Sequence, residues 1–479
     1  MAITGSIETD AVVVGAGPNG LAAALTLARE GFRVTVLEAA HEPGGGTRTF
    51  EDPVVPGLLH DHCSAVHPMG AGSPFFRSLP LERYGLIWDH PEVACAHPLD
   101  DGSAAVMHRD LAATLAGLGA DAATWDLLFG AAARTFDKLA ADLLGPIVRI
   151  PRHPFATARS GIPSLLPASV VAERFPTPAG AALFGGLAAH AVAPLTQPMT
   201  TAVGLLLGAA GHVYGWPAAR GGSRSIWQAM VALLEDLGGK VVTDTHVRSF
   251  ADIPRARVAL FDTTPTGAAW ILGDHLPDAD RRRAERWTYG PAAYKVDFAI
   301  RGAVPWAAEP ARRAGTVHLG GTFSEIEAAE QQATDGDLPD RPFVLVAQPH
   351  LADPGREVDG ITPLWTYAHV PHGCDADVAP LVEAQVERFA PGFGGQVVAR
   401  HVTTPSAFEA WNPNLHGGDI TGGASSPSQL LARPRLSPDP YATGVPGLFL
   451  CSSSTPPGGG VHGMCGHHAA RSALKVLLA

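Results

Sequence analysis

At 479 residues the chain is long enough for two domains, or for one large domain with insertions. Apolar residues make up 46% and charged residues only 17%, against about 25% charged in an average soluble protein, so a large core is expected. A formal net charge of −12, with no basic run, excludes a nucleic-acid partner, whose phosphates demand a cationic face.

Residues Met1 to Asp10 lack the basic region and apolar stretch of a signal peptide. The five cysteines are widely spaced and form no Cys-x-x-Cys pair, which removes a zinc site of that type and a dithiol centre. A reducing, cytoplasmic location is therefore expected.

The strongest signal spans Asp10 to Glu38. Ala11-Val12-Val13-Val14 has the continuous apolar character of a parallel strand buried on both faces. Gly15-x-Gly17-x-x-Gly20 follows at once, with Pro18 and Asn19 inside it. Leu21, Leu25 and Ala28 then continue at helical spacing to a stop at Gly31. Arg33 to Glu38 reads as a second strand that ends in an acid. Gly15 permits the tight turn, Gly17 lets the backbone approach a pyrophosphate, and Gly20 lets helix and strand pack closely. The phosphates belong on the helix N-terminus, where free N–H groups and the dipole favour an anion. Glu38, with Ala39 beside it, accepts hydrogen bonds from ribose hydroxyls and repels the 2′-phosphate of NADP.

Glu42-Pro43-Gly44-Gly45-Gly46-Thr47-Arg48-Thr49 comes next. It resembles the second glycine motif of glutathione-reductase-type FAD proteins, which NAD-only dehydrogenases lack. FAD is thus the expected cofactor, with Gly44 to Thr47 bracing its pyrophosphate and Arg48 a candidate phosphate contact.

From Pro176 to Ala219 there is no Asp, Glu, Lys or Arg. Prolines interrupt this stretch, and its best apolar piece, Met199 to Ala210, falls short of the ~20 residues a spanning helix needs. Buried helices are expected, with peripheral membrane contact left open. His190 sits in this run as a candidate acid or base. Gly221-Gly222 precedes a helical stretch, Ser223 to Leu237, and strands follow at Lys240–Thr243, Thr245–Val247 and Val258–Asp262. Ala293 to Phe298 alternates like a strand, and Trp365, Tyr367 and His369 share one strand face. Gly392-Phe393-Gly394-Gly395 lacks the flanking strand and helix of a second nucleotide site, so bound NAD(P)H is not required. No histidine cluster has metal-ligand spacing, and no metal is expected.

Near the C-terminus, Gly447 to Cys451 reads as a turn and short strand. It runs into Ser452-Ser453-Ser454-Thr455-Pro456-Pro457-Gly458-Gly459-Gly460-Val461-His462-Gly463, and helical spacing resumes from Met464 to Leu478. This second strand–glycine loop–helix offers another set of N–H groups to the cofactor, through Ser452, Ser453, Gly459, Gly460, Val461 and His462.

With these landmarks the chain resembles the phytoene-desaturase-like branch of the flavin amine oxidase superfamily. Within that branch it is similar to the bacterial NAD(P)/FAD-dependent oxidoreductases related to pyridine nucleotide-disulfide oxidoreductase domain-containing protein 2. The resemblance covers nearly the whole chain. It implies an α/β fold: a discontinuous glutathione-reductase-type Rossmann FAD domain (residues 1–90, 215–288 and 432–479) and a mixed sheet-plus-helix substrate domain (91–214 and 289–431). It further implies that His62 and His67 run beside the flavin, that Val247 holds the adenine through its backbone, and that Lys295 occupies the position of a lysine that bonds a water at flavin N5. His462 and His190 are the other candidate catalytic groups. Phytoene desaturases carry glycines at Ser452 and Ser454 and a histidine at Pro456, which leaves FAD binding intact and puts desaturation itself in doubt.

The resulting expectation is an FAD-dependent oxidoreductase acting on a C–H or C=C centre of a lipophilic small molecule, with oxygen or a quinone as acceptor. A redox-neutral isomerase or cyclase and a non-catalytic flavin-binding protein are the alternatives. An amine oxidase ranks below them, because no aromatic cage can be assigned by position.

Overall fold

The structure is a computed structural model describing residues 8–146 and 150–479. Its first sheet has five parallel strands in the order Leu448–Leu450, Val258–Phe261, Ala11–Val14, Val34–Leu37, Lys240–Val242. Ala11–Val14 lies at the centre with all four residues buried, as an all-apolar strand requires when both its faces are covered. Helices Pro18–Ala28 and Met464–Leu477 cover one face, packing with Ala11, Val13 and Leu260. Val12, Val14 and Phe261 meet Ala268, Ile271 and Leu272 of helix Pro265–Leu272 on the other. Pro18 stands in the first turn of its helix, where the missing N–H costs nothing.

Of the two strands expected between Lys240 and Val247, only the first forms. Lys240–Val242 pairs as a strand, but Thr245–Val247 does not. Asp244 takes φ of 52° and turns the chain, so that Thr245 donates its N–H to the Glu38 carbonyl instead of continuing the ladder.

The second sheet has seven strands in the order Val397–Thr403, Ala292–Arg301, Ile361–Val370, Val344–Ala347, Ala314–Leu319, Val93–Pro98, Ala104–Met107. Neighbours run antiparallel except Ala314–Leu319 with Val93–Pro98. Alternation along Ala292–Arg301 divides its side chains between two environments. Tyr294, Val296, Phe298 and Ile300 pack under helix Ala379–Phe389 with Val382, Val386 and Phe389. Lys295 and Asp297 point the other way, directly opposite Tyr367 and Trp365. On that side lies the hairpin Thr49–Glu51/Leu59–Asp61, which follows the second glycine motif.

The charge-free stretch folds as helices Pro178–Ala189 and Thr200–Tyr214, most of whose residues are buried. Gly204 lets them approach closely, since a Cβ there would stand 3.2 Å from the Ala188 backbone. Among the described residues, no helix is long and apolar enough to cross a membrane.

Candidate active site

The two N-terminal glycine motifs form one cradle. Gly44 donates its N–H to the Ala16 carbonyl at 2.8 Å, and a Cβ on Gly45 would lie 3.1 Å from the Gly17 Cα. Gly44 itself holds φ of 110° with the Trp227 ring against it, a place only glycine fills without strain. The fingerprint loop is clamped by two carboxylates. Glu38 accepts from the Ala16 N–H at 2.7 Å, and Asp262 accepts from the Gly20 N–H at 2.8 Å. Glu38 also takes the Ala40 N–H and the Arg48 guanidinium, at 3.0 and 3.2 Å. Arg48 is thereby held at the end of the second strand, with its guanidinium 5.3 Å from the Trp411 ring centroid. Val247 is buried close by, two residues past the Thr245 N–H that caps this strand end.

The C-terminal loop comes to the same cradle through helix Met464–Leu477. A Cβ on Gly466 would be 1.7 Å from the Asn19 carbonyl, so the two helix starts touch. Arg433, buried, holds the loop from behind by donating to the carbonyls of Thr421, Gly423 and Ser453. Burial lowers its guanidinium pKa, and the nearby Asp419 charge opposes that shift.

Beyond the cradle lies the polar face of the seven-stranded sheet. Lys295, 1% exposed, pairs with Asp297 two residues along the same strand. Its ammonium stands 5.8 Å from the Phe50 ring and 5.9 Å from the Trp365 ring. His62 stacks on Trp411 with ring centroids 4.4 Å apart. Burial, with the Lys295 and Arg48 charges, lowers its pKa to about 4, so it is neutral.

A sequence profile of the NAD(P)-binding Rossmann-like domain matches residues 13–79. The hydroxyneurosporene desaturase of Rhodobacter capsulatus is 26% identical over 521 residues, covering 98% of each chain. Mouse pyridine nucleotide-disulfide oxidoreductase domain-containing protein 2 is 25% identical over 558 residues, covering 98% of this chain and 94% of its own. A putrescine oxidase structure shares the fold with a TM-score of 0.64 at 16% identity, covering 98% of this chain and 99% of its own. These similarities support a place for the chain beside the phytoene-desaturase-like FAD-dependent oxidoreductases, with the fold of the flavin amine oxidases.

This flavoenzyme is an FAD-dependent oxidoreductase, and its cradle fits that cofactor. The N-terminus of helix Pro18–Ala28 carries no side-chain cap, and the Asn19 Oδ1 is buried without a partner. Gly17, Pro18 and Asn19 are the residues that would face the pyrophosphate, with Gly44 to Thr47 behind them and Glu38 at the ribose. Asp262, from the far end of a neighbouring strand, belongs to no recognised motif. Its signal in the sequence is an acid ending an apolar strand, as Glu38 does.

Three candidate groups have partners that define what they do. His462 accepts the Met464 N–H on Nδ1 at 3.1 Å, and the Ser73 hydroxyl donates to its carbonyl, so it ties the loop to the helix start. Burial lowers its pKa to about 4. His190 pairs with His318 at 3.1 Å between their Nε2 atoms, and burial lowers its pKa to about 3. His67 bonds the Ser223 hydroxyl at 2.9 Å and is held neutral by burial, with a pKa of about 4. Lys295, His190 and His462 each keep separate hydrogen-bond partners: Asp297, His318 and the Met464 N–H. Among the described residues no cluster could hold a metal ion.

Asp262 supplies a test of the clamp. Burial, reinforced by the Glu38 charge, raises its pKa from 3.8 to about 7. A carboxyl raised on folding contributes stability that is present below its unfolded pKa and is lost as pH rises through the folded value. Asp262→Asn keeps the shape and removes the ionisation. The variant is expected to gain about 2–3 kcal/mol over wild type between pH 5 and pH 8, read as the difference in urea midpoint at the two pH values. An identical difference at both would show that Asp262 does not titrate in that range.

Proposed function

We propose that the enzyme is a desaturase, saturase or dehydrogenase acting on a C–H or C=C centre of a lipophilic small molecule, with oxygen or a quinone as electron acceptor. The observation that carries this reading is the full-length similarity to a hydroxyneurosporene desaturase. A second relative supports it: a limonene dehydrogenase component of Castellaniella defragrans is 38% identical over 104 residues, 22% of this chain and 18% of its own. Bound FAD supplies the hydride or electron acceptor. The chain's part is to hold Lys295 between Phe50 and Trp365, and to wall the site with buried aromatic residues such as Trp365 and Tyr367. Burial raises the Tyr367 pKa, so its hydroxyl stays protonated.

The test is a visible spectrum of the purified protein, repeated anaerobically with polyenes, amines and NADPH. Flavin bands that bleach with a polyene and not with amines are the expected result. Bleaching by an amine alone overturns the substrate class. Bands that bleach with dithionite but with no organic donor favour the redox-neutral alternative.

A further inference from the structure

The buried charge pair at Lys295 does not end at Asp297. Asp297 Oδ1 faces His60 Nδ1 across 3.7 Å, and both atoms are buried with no hydrogen-bond partner. His60 Nε2 lies 3.0 Å from Asp52 Oδ2, and His401 Nε2 lies 3.0 Å from the same oxygen. Asp52 Oδ1 accepts the N–H groups of Val54 and Val55 at 2.7 and 2.9 Å. His401 directly opposes Asp297 across the two strands and stands on the edge strand of the sheet, with 23% of its side chain exposed. Every other side chain in the series is within 2% of full burial.

Hydrogen-bond logic orders the protons. An ionised carboxylate only accepts, so buried His60 presents Nε2–H to Asp52, while the partly exposed His401 can carry its proton on either nitrogen. Neutral His60 then turns a lone pair on Nδ1 toward the unpartnered Oδ1 of Asp297. Two acceptors face each other in a dry interior, and a single proton on either converts repulsion into a hydrogen bond. The series is thus built one proton short, between a buried amine and a solvent-facing imidazole. Other ionisable groups around it are Asp61, His62 and Cys63 from the hairpin side, Arg48 beyond His62, and Tyr367 opposite Lys295. None of these is bonded to His60, Asp52 or His401.

We propose that Lys295, Asp297, His60, Asp52 and His401 form a proton relay between the redox site and solvent. The relay rests on the reading of Lys295 as the lysine nearest the flavin. Lys295 Nζ passes one proton through Asp297 to His60 Nδ1 and takes in its place the proton released at the redox site. His60 then gives up its Nε2 proton to Asp52, and His401, carrying its own proton on Nδ1, takes it at Nε2 and discharges the Nδ1 proton to water. Running the other way, the same path delivers one proton inward. Each electron pair removed by an acceptor that carries no hydrogen is matched by one proton expelled, and charge balances at the site. In this scheme His60, Asp52 and His401 are positioning and relay residues acting through Lys295.

The experiment reads protons rather than turnover. Dithionite-reduced holoenzyme, desalted anaerobically, is mixed by stopped flow with ferricyanide, which takes electrons and no protons. Flavin absorbance reports reoxidation, and phenol red in dilute buffer reports proton release. In wild type the two traces coincide. In His60→Phe and His401→Asn, proton release is expected to lag reoxidation by about tenfold to a hundredfold, with an unaltered flavin spectrum. Imidazole in the buffer is expected to restore the rate in His401→Asn but not in His60→Phe. His401→Asn lies at the surface and decides the matter alone if His60→Phe fails to fold. Coincident traces in a folded, flavin-loaded His401→Asn overturn the relay. A purified protein that shows no flavin bands after FAD is added overturns the underlying reading instead.

Discussion

Replacing Arg356 by methionine is expected to cost about 3–5 kcal/mol of stability at pH 7. Arg356 is 1% exposed and donates from Nη1 to Asp61 Oδ2 at 2.7 Å. Asp61 Oδ1 also accepts from the Thr49 hydroxyl and the Ser223 N–H, both at 2.7 Å. One carboxylate therefore joins the hairpin, the entry to helix Arg224–Asp236 and the turn Pro354–Arg356 that precedes the second sheet's longest pairing. Burial alone would raise the Asp61 pKa, but the Arg356 charge and hydrogen bond override it and hold it down to about 2. A depressed carboxyl contributes stability that is present above its unfolded pKa of 3.8 and is lost as pH falls through the folded value. Without Arg356 the buried charge is left uncompensated, so Arg356→Met should be most damaging near neutrality and less so at pH 4, where Asp61 can protonate. Urea denaturation at both pH values checks this, with Arg356→Met/Asp61→Asn expected to recover much of the loss. A single-variant loss below about 1 kcal/mol at pH 7 would reduce the pair to a surface-type ion pair.

The second large effect is on the cofactor. A Cβ on Gly20 would sit 2.1 Å from the Gly15 carbonyl oxygen and 3.0 Å from Asp262 Oδ2. The first obstacle is backbone, so Gly20→Ala must displace the fingerprint loop from the first strand. The variant is expected to purify without flavin bands and to bind added FAD at least about a hundredfold more weakly, equivalent to roughly 2.7 kcal/mol. Gly466→Ala, with its Cβ 1.7 Å from the Asn19 carbonyl, should behave similarly by forcing the two helix starts apart. Gly117→Ala is the control, because nothing lies within 4 Å of its Cβ. Fluorescence titration with FAD separates the three. Wild-type affinity in Gly20→Ala would mean that the loop can shift without disturbing the phosphate cradle.

Much of the site is legible without coordinates, for local reasons. The strand Ala11–Val14, the glycines at 15, 17 and 20 and the helix after them follow from apolar runs, φ requirements and periodicity within some thirty residues. Alternation places Lys295 on a strand, and the same alternation puts Asp297 on its face, a partner the motif itself does not name. Thr245–Val247 misleads because its alternating pattern suits a strand equally well, and only the Asp244 turn and the Glu38 carbonyl decide otherwise.

The Rossmann cradle, the FAD expectation and the burial of most of residues 176–219 follow from the order of amino acids alone. Each of these depends on the chemistry of contiguous residues. Tertiary structure alone decided that Asp262 clamps Gly20 from 242 residues away and that Arg356 neutralises Asp61 across 295. It alone brought Asp52 and His401 together across 349 residues. In those cases a charge is tolerated in the interior only where register and packing supply its partner, and register is a property of the assembled sheets.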